Sequence, residues 1–154
     1  MEVIEILGEK GNAVETASPD ASVGDIVVRL TGKKIGVVVI VDDGGKPVGI
    51  ISERDIVTGL AADGPEIVTK TVADIMTKNV ETCAPNEDVT ELMVKMVFGR
   101  MRHLPVIDGG EMVGIVSIGE GSHQYTGHQG LHIFVVIEEC RGIQLDPARC
   151  QRGL

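Results

Sequence analysis

Residues 13–55 can be laid over residues 79–120 of this 154-residue chain. Val14-Glu15-Thr16-Ala17-Ser18-Pro19 falls on Val80-Glu81-Thr82-Cys83-Ala84-Pro85, and Ile40-Val41-Asp42 on Val106-Ile107-Asp108. Val48-Gly49-Ile50-Ile51-Ser52 falls on Val113-Gly114-Ile115-Val116-Ser117. The offset is 66 residues and drops to 65 after a one-residue deletion in a glycine-rich turn. A repeat of this length constrains the fold more than any other feature, because each copy is one supersecondary unit that needs a neighbour to cover its apolar face.

Each copy reads as β-α-β-β-α. A short strand ends at Thr16 or Thr82, a proline turn follows, and helices are predicted over about 22–33 and 86–99. In the second helix Val89, Leu92, Met93, Met96 and Val97 recur at intervals of three and four, which gives one apolar stripe. Ser22 with Asp25, and Asn86 with Val89, mark the expected helix starts. Apolar runs at 37–41 and 104–107 are joined by Asp- and Gly-containing turns to strands at 47–52 and 112–117, so two hairpins are expected. A closing helix is predicted over 54–61 in the first copy, ended by Asp63-Gly64-Pro65. Residues 64–78 read as a linker containing a helical turn at 72–77. The fold class is α/β (α+β): tandem β-α-β-β-α units, about 3–63 and 79–120, packed with pseudo-twofold symmetry. A unit of about 50 residues is marginal alone.

Composition narrows the function. Fourteen Lys and Arg against 23 Asp and Glu give a net charge of -9. That argues against a broad nucleic-acid or anionic-membrane surface, which needs a basic face. Aromatic residues are 2% of the chain, so the core must be aliphatic. Three widely spaced cysteines form neither a disulfide framework nor a metal clip and point to reduced thiols in the cytoplasm. No basic-then-apolar leader is evident at the start. The apolar run at 133–137 is far short of the ~20 residues that span a bilayer. Walker, GxGxxG, HExxH and GxSxG motifs are all missing, which favours a binding module over an enzyme.

The block Gly49-Ile50-Ile51-Ser52-Glu53-Arg54-Asp55 carries the most chemistry. Ser52 follows a strand and Asp55 lies on the first turn of a helix. Backbone N–H groups and the helix dipole favour an anion there. The serine hydroxyl can donate to a phosphate oxygen, and the carboxylate can accept from two ribose hydroxyls. The same pair can instead simply cap the helix.

The doubled unit, this block and Arg100-Met101-Arg102-His103-Leu104-Pro105-Val106 together resemble a pair of CBS domains, or Bateman module, over about residues 3–120. The resemblance implies a regulatory module that binds AMP, ADP, ATP or NAD(H) in a cleft between the repeats, with no catalytic cofactor and no metal. It implies phosphate contacts from Ser52, Arg54, Arg102 and His103, and ribose contact from Asp55. It implies an adenine slot from Thr16, Thr82, Ile35, Gly36, Val37 and Pro105, and a second set from Ser117 and Glu120. A homodimer acting on a separate regulated protein is the implied assembly. The other readings are a nucleotide-processing enzyme using Asp55 and His103 as acid and base, and a stress-response dimer with a vestigial cleft.

The second unit departs from the pattern. Glu120 stands where the family carries Asp or Asn, and the closing helix is not written. Gly121, Gly127 and Gly130 each cost roughly 0.8–1 kcal/mol in a helix relative to Ala. Residues 121–154 also differ in composition: they hold three of the four histidines and no lysine. This tail is expected to be disordered, frame-altered or paired to a partner, with its apolar run able to add to a sheet edge. A metal site from His123, His128, His132 and Cys140 is the rival reading of the tail.

Overall fold

The computed structural model describes residues 1–8 and 14–118, and the backbone of 125–126 and 132–135. The elements run α1 (Val3–Gly8), β1 (Thr16–Ala17), α2 (Val23–Lys33), β2 (Val37–Val41), β3 (Pro47–Ser52) and α3 (Glu53–Asp63). A 3₁₀ turn (Gly64–Thr69) leads to α4 (Val72–Ile75), α5 (Val89–Phe98), β4 (His103–Asp108), β5 (Glu111–Ile118), β6 (Tyr125–Thr126) and β7 (His132–Val135).

Both hairpins form where the sequence places them. β2 and β3 are antiparallel with Val37 opposite Ser52, and β4 and β5 repeat that register with His103 opposite Ser117. β1 lies parallel to β2, with Ala17 opposite Ile40. In the second unit the strand expected at Thr82 shrinks to a single parallel bridge between Cys83 and Val106. α2 begins at the expected cap, where Ser22 Oγ accepts from the Asp25 N–H at 3.1 Å. The second long helix starts later than Asn86. Asp88 is its cap, because one carboxylate oxygen accepts from the N–H groups of Thr90 and Glu91, satisfying two otherwise unpaired helix-end donors.

Two short helices cross between the units. α1 precedes the first unit in the chain, yet Val3, Ile6 and Leu7 are buried among Val89, Leu92, Met96, Leu104, Val106 and Val116 of the second. α4 precedes the second unit, yet Val72 lies in the core of the first with Ile26, Leu30, Val38, Ile40 and Ile51. The hydrogen bonds match. The Val3 and Ile4 N–H groups donate to the carbonyls of Glu87 and Pro85, and those of Val72 and Ala73 donate to Ala21 and Pro19. Each docked helix, or the residue that caps it, also lies close over a glycine in the strand beneath. A Cβ on Gly114 would lie 2.6 Å from Leu7 Cδ2, and one on Gly49 would collide with the Met76 side chain.

A third apolar cluster joins the units: Val37, Val39 and Ile50 from one sheet and Ile115 from the other, flanked by Val80 and Met112. The two units therefore pack sheet against sheet through aliphatic side chains. The second sheet is larger, with strand order β4-β5-β7-β6. The tail's strand-like run thus supplies a strand to the edge of its own unit, with Ser117 opposite Phe134 and Ile118 opposite Ile133. Among the described residues no helix is long and apolar enough to cross a membrane.

Candidate functional site

A cleft of about 340 Å³ opens at the junction of the units. β3 ends at its floor with Ser52, and α3 rises from it through Glu53, Arg54 and Asp55. The first turn of α3 closes a capping box. The Asp55 N–H donates to Ser52 Oγ at 3.4 Å, and Asp55 Oδ2 accepts from the Ser52 N–H at 2.7 Å and from its hydroxyl at 2.8 Å. The other carboxylate oxygen, Oδ1, accepts from Thr77 Oγ1 at 3.3 Å. The two oxygens thus have different surroundings: Oδ2 holds the helix, and Oδ1 faces Thr77 of the linker segment.

Thr77 is fixed by the backbone. Its N–H and carbonyl exchange hydrogen bonds with Ile50 at 2.8 and 3.0 Å, adding one rung to the edge of β3. Asn79, Val80 and Glu81 continue this wall. The opposite lip comes from the second unit, where Arg100, Met101, Arg102 and His103 lead into β4. His103 is largely buried, and its pKa is pushed down to about 4, first by loss of hydration and then by the charges of Arg102 and Arg54, with Asp55 opposing. At neutral pH it is an uncharged imidazole, able both to donate and to accept.

Of the residues singled out from the sequence, Gly36, Ser52, Arg54, Asp55, Arg102 and His103 line the cleft. Thr16, Ile35, Val37, Thr82, Pro105 and Ser117 do not. Ile35 and Val37 are core residues, 7% and 5% exposed. Pro105 is buried within β4, and Thr16 in β1 is in register with Val39 of β2. The Thr82 carbonyl accepts from Lys95 Nζ at 3.0 Å. Ser117 is 3% exposed, and its hydroxyl has no partner among the described residues. Glu120 and the tail's histidine and cysteine side chains lie outside the described residues. Sequence reasoning missed Thr77, Asn79, Glu81 and Arg100. The first three sit in a stretch read only as linker and strand lead-in. Arg100 belongs to the quoted basic block, and a stricter count of its arginines would have included it.

A family model for the CBS domain matches residues 12–62 and 72–120. The chain belongs to the CBS-domain family. Its fold is similar to that of a CBS-domain containing protein from Agrobacterium tumefaciens, at 40% identity and a TM-score of 0.73, covering 75% of this chain and 87% of that one. A mitochondrial CBS domain-containing protein of Arabidopsis thaliana is 32% identical over 77% of this chain, which spans 61% of that relative's length. A CBS domain pair solved with 5′-methylthioadenosine and S-adenosyl-L-methionine is 33% identical with a TM-score of 0.67, covering 76% of this chain and 89% of that one. A CBS domain protein from Pyrobaculum aerophilum complexed with AMP shares the fold at 24% identity and a TM-score of 0.67, covering 76% and 87%.

Proposed function

We propose that this CBS pair is a regulatory module whose cleft binds an adenine nucleotide (AMP, ADP, ATP or NAD(H)) and reports energy or redox state to a separate protein. The observation that carries the reading is the pairing across the cleft. Ser52 and Asp55 stand at a helix N-terminus on one side, and Arg102 and His103 face them on the other. A ribose can take Asp55 Oδ1 in place of the Thr77 hydroxyl. The 5′ phosphate then falls near the helix N-terminus and the guanidinium groups, both favourable for an anion.

A ligand in this place touches both units, so its binding energy depends on how they sit together. It can shift the module between states only by its difference in affinity for them. A homodimer is the assembly we favour. Val57 and Leu60 on α3 and Val94, Val97 and Phe98 on α5 expose apolar side chains, and no α3 residue is buried within the chain.

The test is a thermal-shift and calorimetric screen of AMP, ADP, ATP, NAD and NADH on the chain and on Asp55→Ala. A ligand present at 100 times its Kd should stabilise the chain by about 2.7 kcal/mol. The reading is lost if no adenosyl compound raises the melting temperature, or if Asp55→Ala responds as the parent does.

A further inference from the structure

Asn79, Val80 and Glu81 wall the cleft, yet few bonds hold them. On one side of this stretch Thr77 exchanges backbone hydrogen bonds with Ile50, and on the other the Cys83 N–H donates to the Pro105 carbonyl. Between those two anchors, among the described residues, the hydrogen bond and the ion pair to the stretch come from one side chain. Lys95 Nζ on α5 donates to the Thr82 carbonyl at 3.0 Å and stands 3.6 Å from Glu81 Oε2. Asn79 has a φ of 57°, in the left-handed region that non-glycine residues adopt uncommonly. Local backbone preference therefore does not set the course of the wall.

The first copy carries the same clamp at the same offset of 66. Arg29 Nη1 donates to the Thr16 carbonyl at 3.0 Å and lies 3.4 Å from Glu15 Oε1. There a strand rung backs it up: the Val39 N–H donates to the Glu15 carbonyl at 3.0 Å, and Thr16 and Ala17 pair with β2. The residue that matches Val39 in the second copy is Pro105. Proline has no N–H to donate, so the Glu81 carbonyl cannot receive the matching bond. The missing donor accounts for the loss of a strand at Thr82, where a single bridge between Cys83 and Val106 remains. It also leaves the wall dependent on Lys95.

We infer that Lys95 is a positioning residue for the cleft: it holds the wall at 79–82 in place of the strand rung that Pro105 deletes. Lys95 does not itself line the cleft, so it acts through the Thr82 carbonyl and not on a ligand. A wall ordered in advance favours binding, because the ligand need not supply the ordering entropy. The inference rests on the adenosyl reading above only for the binding arm of its test.

Two measurements on the full chain test it. Heteronuclear amide NOEs of residues 79–82 should fall in Lys95→Met and hold in Lys95→Arg, which keeps a donor. Arg29→Met should leave residues 15 and 16 as rigid as before, because the Val39 rung remains. In calorimetry, adenosine and AMP should both bind Lys95→Met about 5- to 10-fold more weakly and bind Arg29→Met as they bind the parent. Methionine keeps the aliphatic stem, so the melting temperature of Lys95→Met should move little. Adding Pro105→Val to Lys95→Met gives the Glu81 carbonyl a donor and should restore both rigidity and affinity. Three results would each overturn the inference: unchanged NOEs in Lys95→Met, no recovery with Pro105→Val at an unchanged melting temperature, or a loss of AMP affinity with adenosine untouched. The last would mark Lys95 as a charge acting on the ligand and not as a clamp. If the parent binds neither compound, the adenosyl reading falls and the NOE arm alone decides the role of Lys95.

Discussion

The two units share a hairpin register and part ways at its end. After Ser52, β3 stops and α3 begins, closed by the Ser52–Asp55 capping box. After Ser117, β5 runs on to Ile118 and takes β7 along its edge. The same serine therefore has two fates. In the first unit its hydroxyl is shared with a carboxylate at the cleft. In the second it is buried without a partner among the described residues. The opposite lips differ as well: Arg100, Arg102 and His103 of the second unit correspond to Lys34, Gly36 and Val37 of the first. The repeat builds the frame twice, but among the described residues the cleft draws on the strand end of one copy and the strand entry of the other.

The largest expected effect tests how far the units are alike in packing. Leu7 is 4% exposed in the core of the second unit, so Leu7→Ala should cost about 2–5 kcal/mol in chemical denaturation. Met76, the corresponding residue at the C-terminal cap of α4, is only half-buried, and Met76→Ala should cost less. Equal costs would mean that α4 is held as firmly as α1.

The next effect concerns the lips. The His103 pKa falls from 6.5 to about 4 in the folded chain, so below pH 6.5 the unfolded chain binds the extra proton first. The stability that goes with the neutral imidazole is complete above pH 6.5 and is lost as the pH falls toward 4, at most about 3 kcal/mol. Val37 in the other copy has no such titration, and His103→Val should flatten that part of the stability–pH curve. An unchanged slope would show that His103 is solvated.

At the strand ends, Asp55→Ala should weaken adenine-nucleotide binding by about 1.5–3 kcal/mol in calorimetry. Ser117→Ala should leave binding unchanged. It should instead raise stability by about 1 kcal/mol, since it removes a buried hydroxyl with no hydrogen-bond partner among the described residues. A loss of binding in Ser117→Ala would mean that the second strand end also touches ligand, and the contrast between the copies would go.

The fold was largely legible because period and turn chemistry agree with it. The hairpins follow from apolar runs bounded by Asp and Gly, and α2 from its serine cap. The crossed helices were not read, although the signal was present. Val3-Ile4-Glu5-Ile6-Leu7 matches Val72-Ala73-Asp74-Ile75-Met76 at an offset of 69 rather than 66. Six residues are too few to show a period, and nothing local says that a helix will dock on the other copy. The site was half legible for a related reason. Ser52, Asp55, Arg102 and His103 sit in compact blocks, whereas Thr77 and Asn79 reach the cleft only because α4 anchors the linker to β3. Ile35, Val37 and Pro105 were assigned to an adenine slot by the family resemblance, and in the structure they are buried core residues.

The exchanged helices bear on where such a doublet comes from. Half of the molecule alone would leave a naked apolar trough where the other half's leading helix belongs, and its own leading helix would have nothing to lie on. Two separate half-length chains could cure both defects by trading those helices. A covalent doublet keeps that trade permanently, and its copies are then free to drift apart at their rims while the shared centre holds them in place.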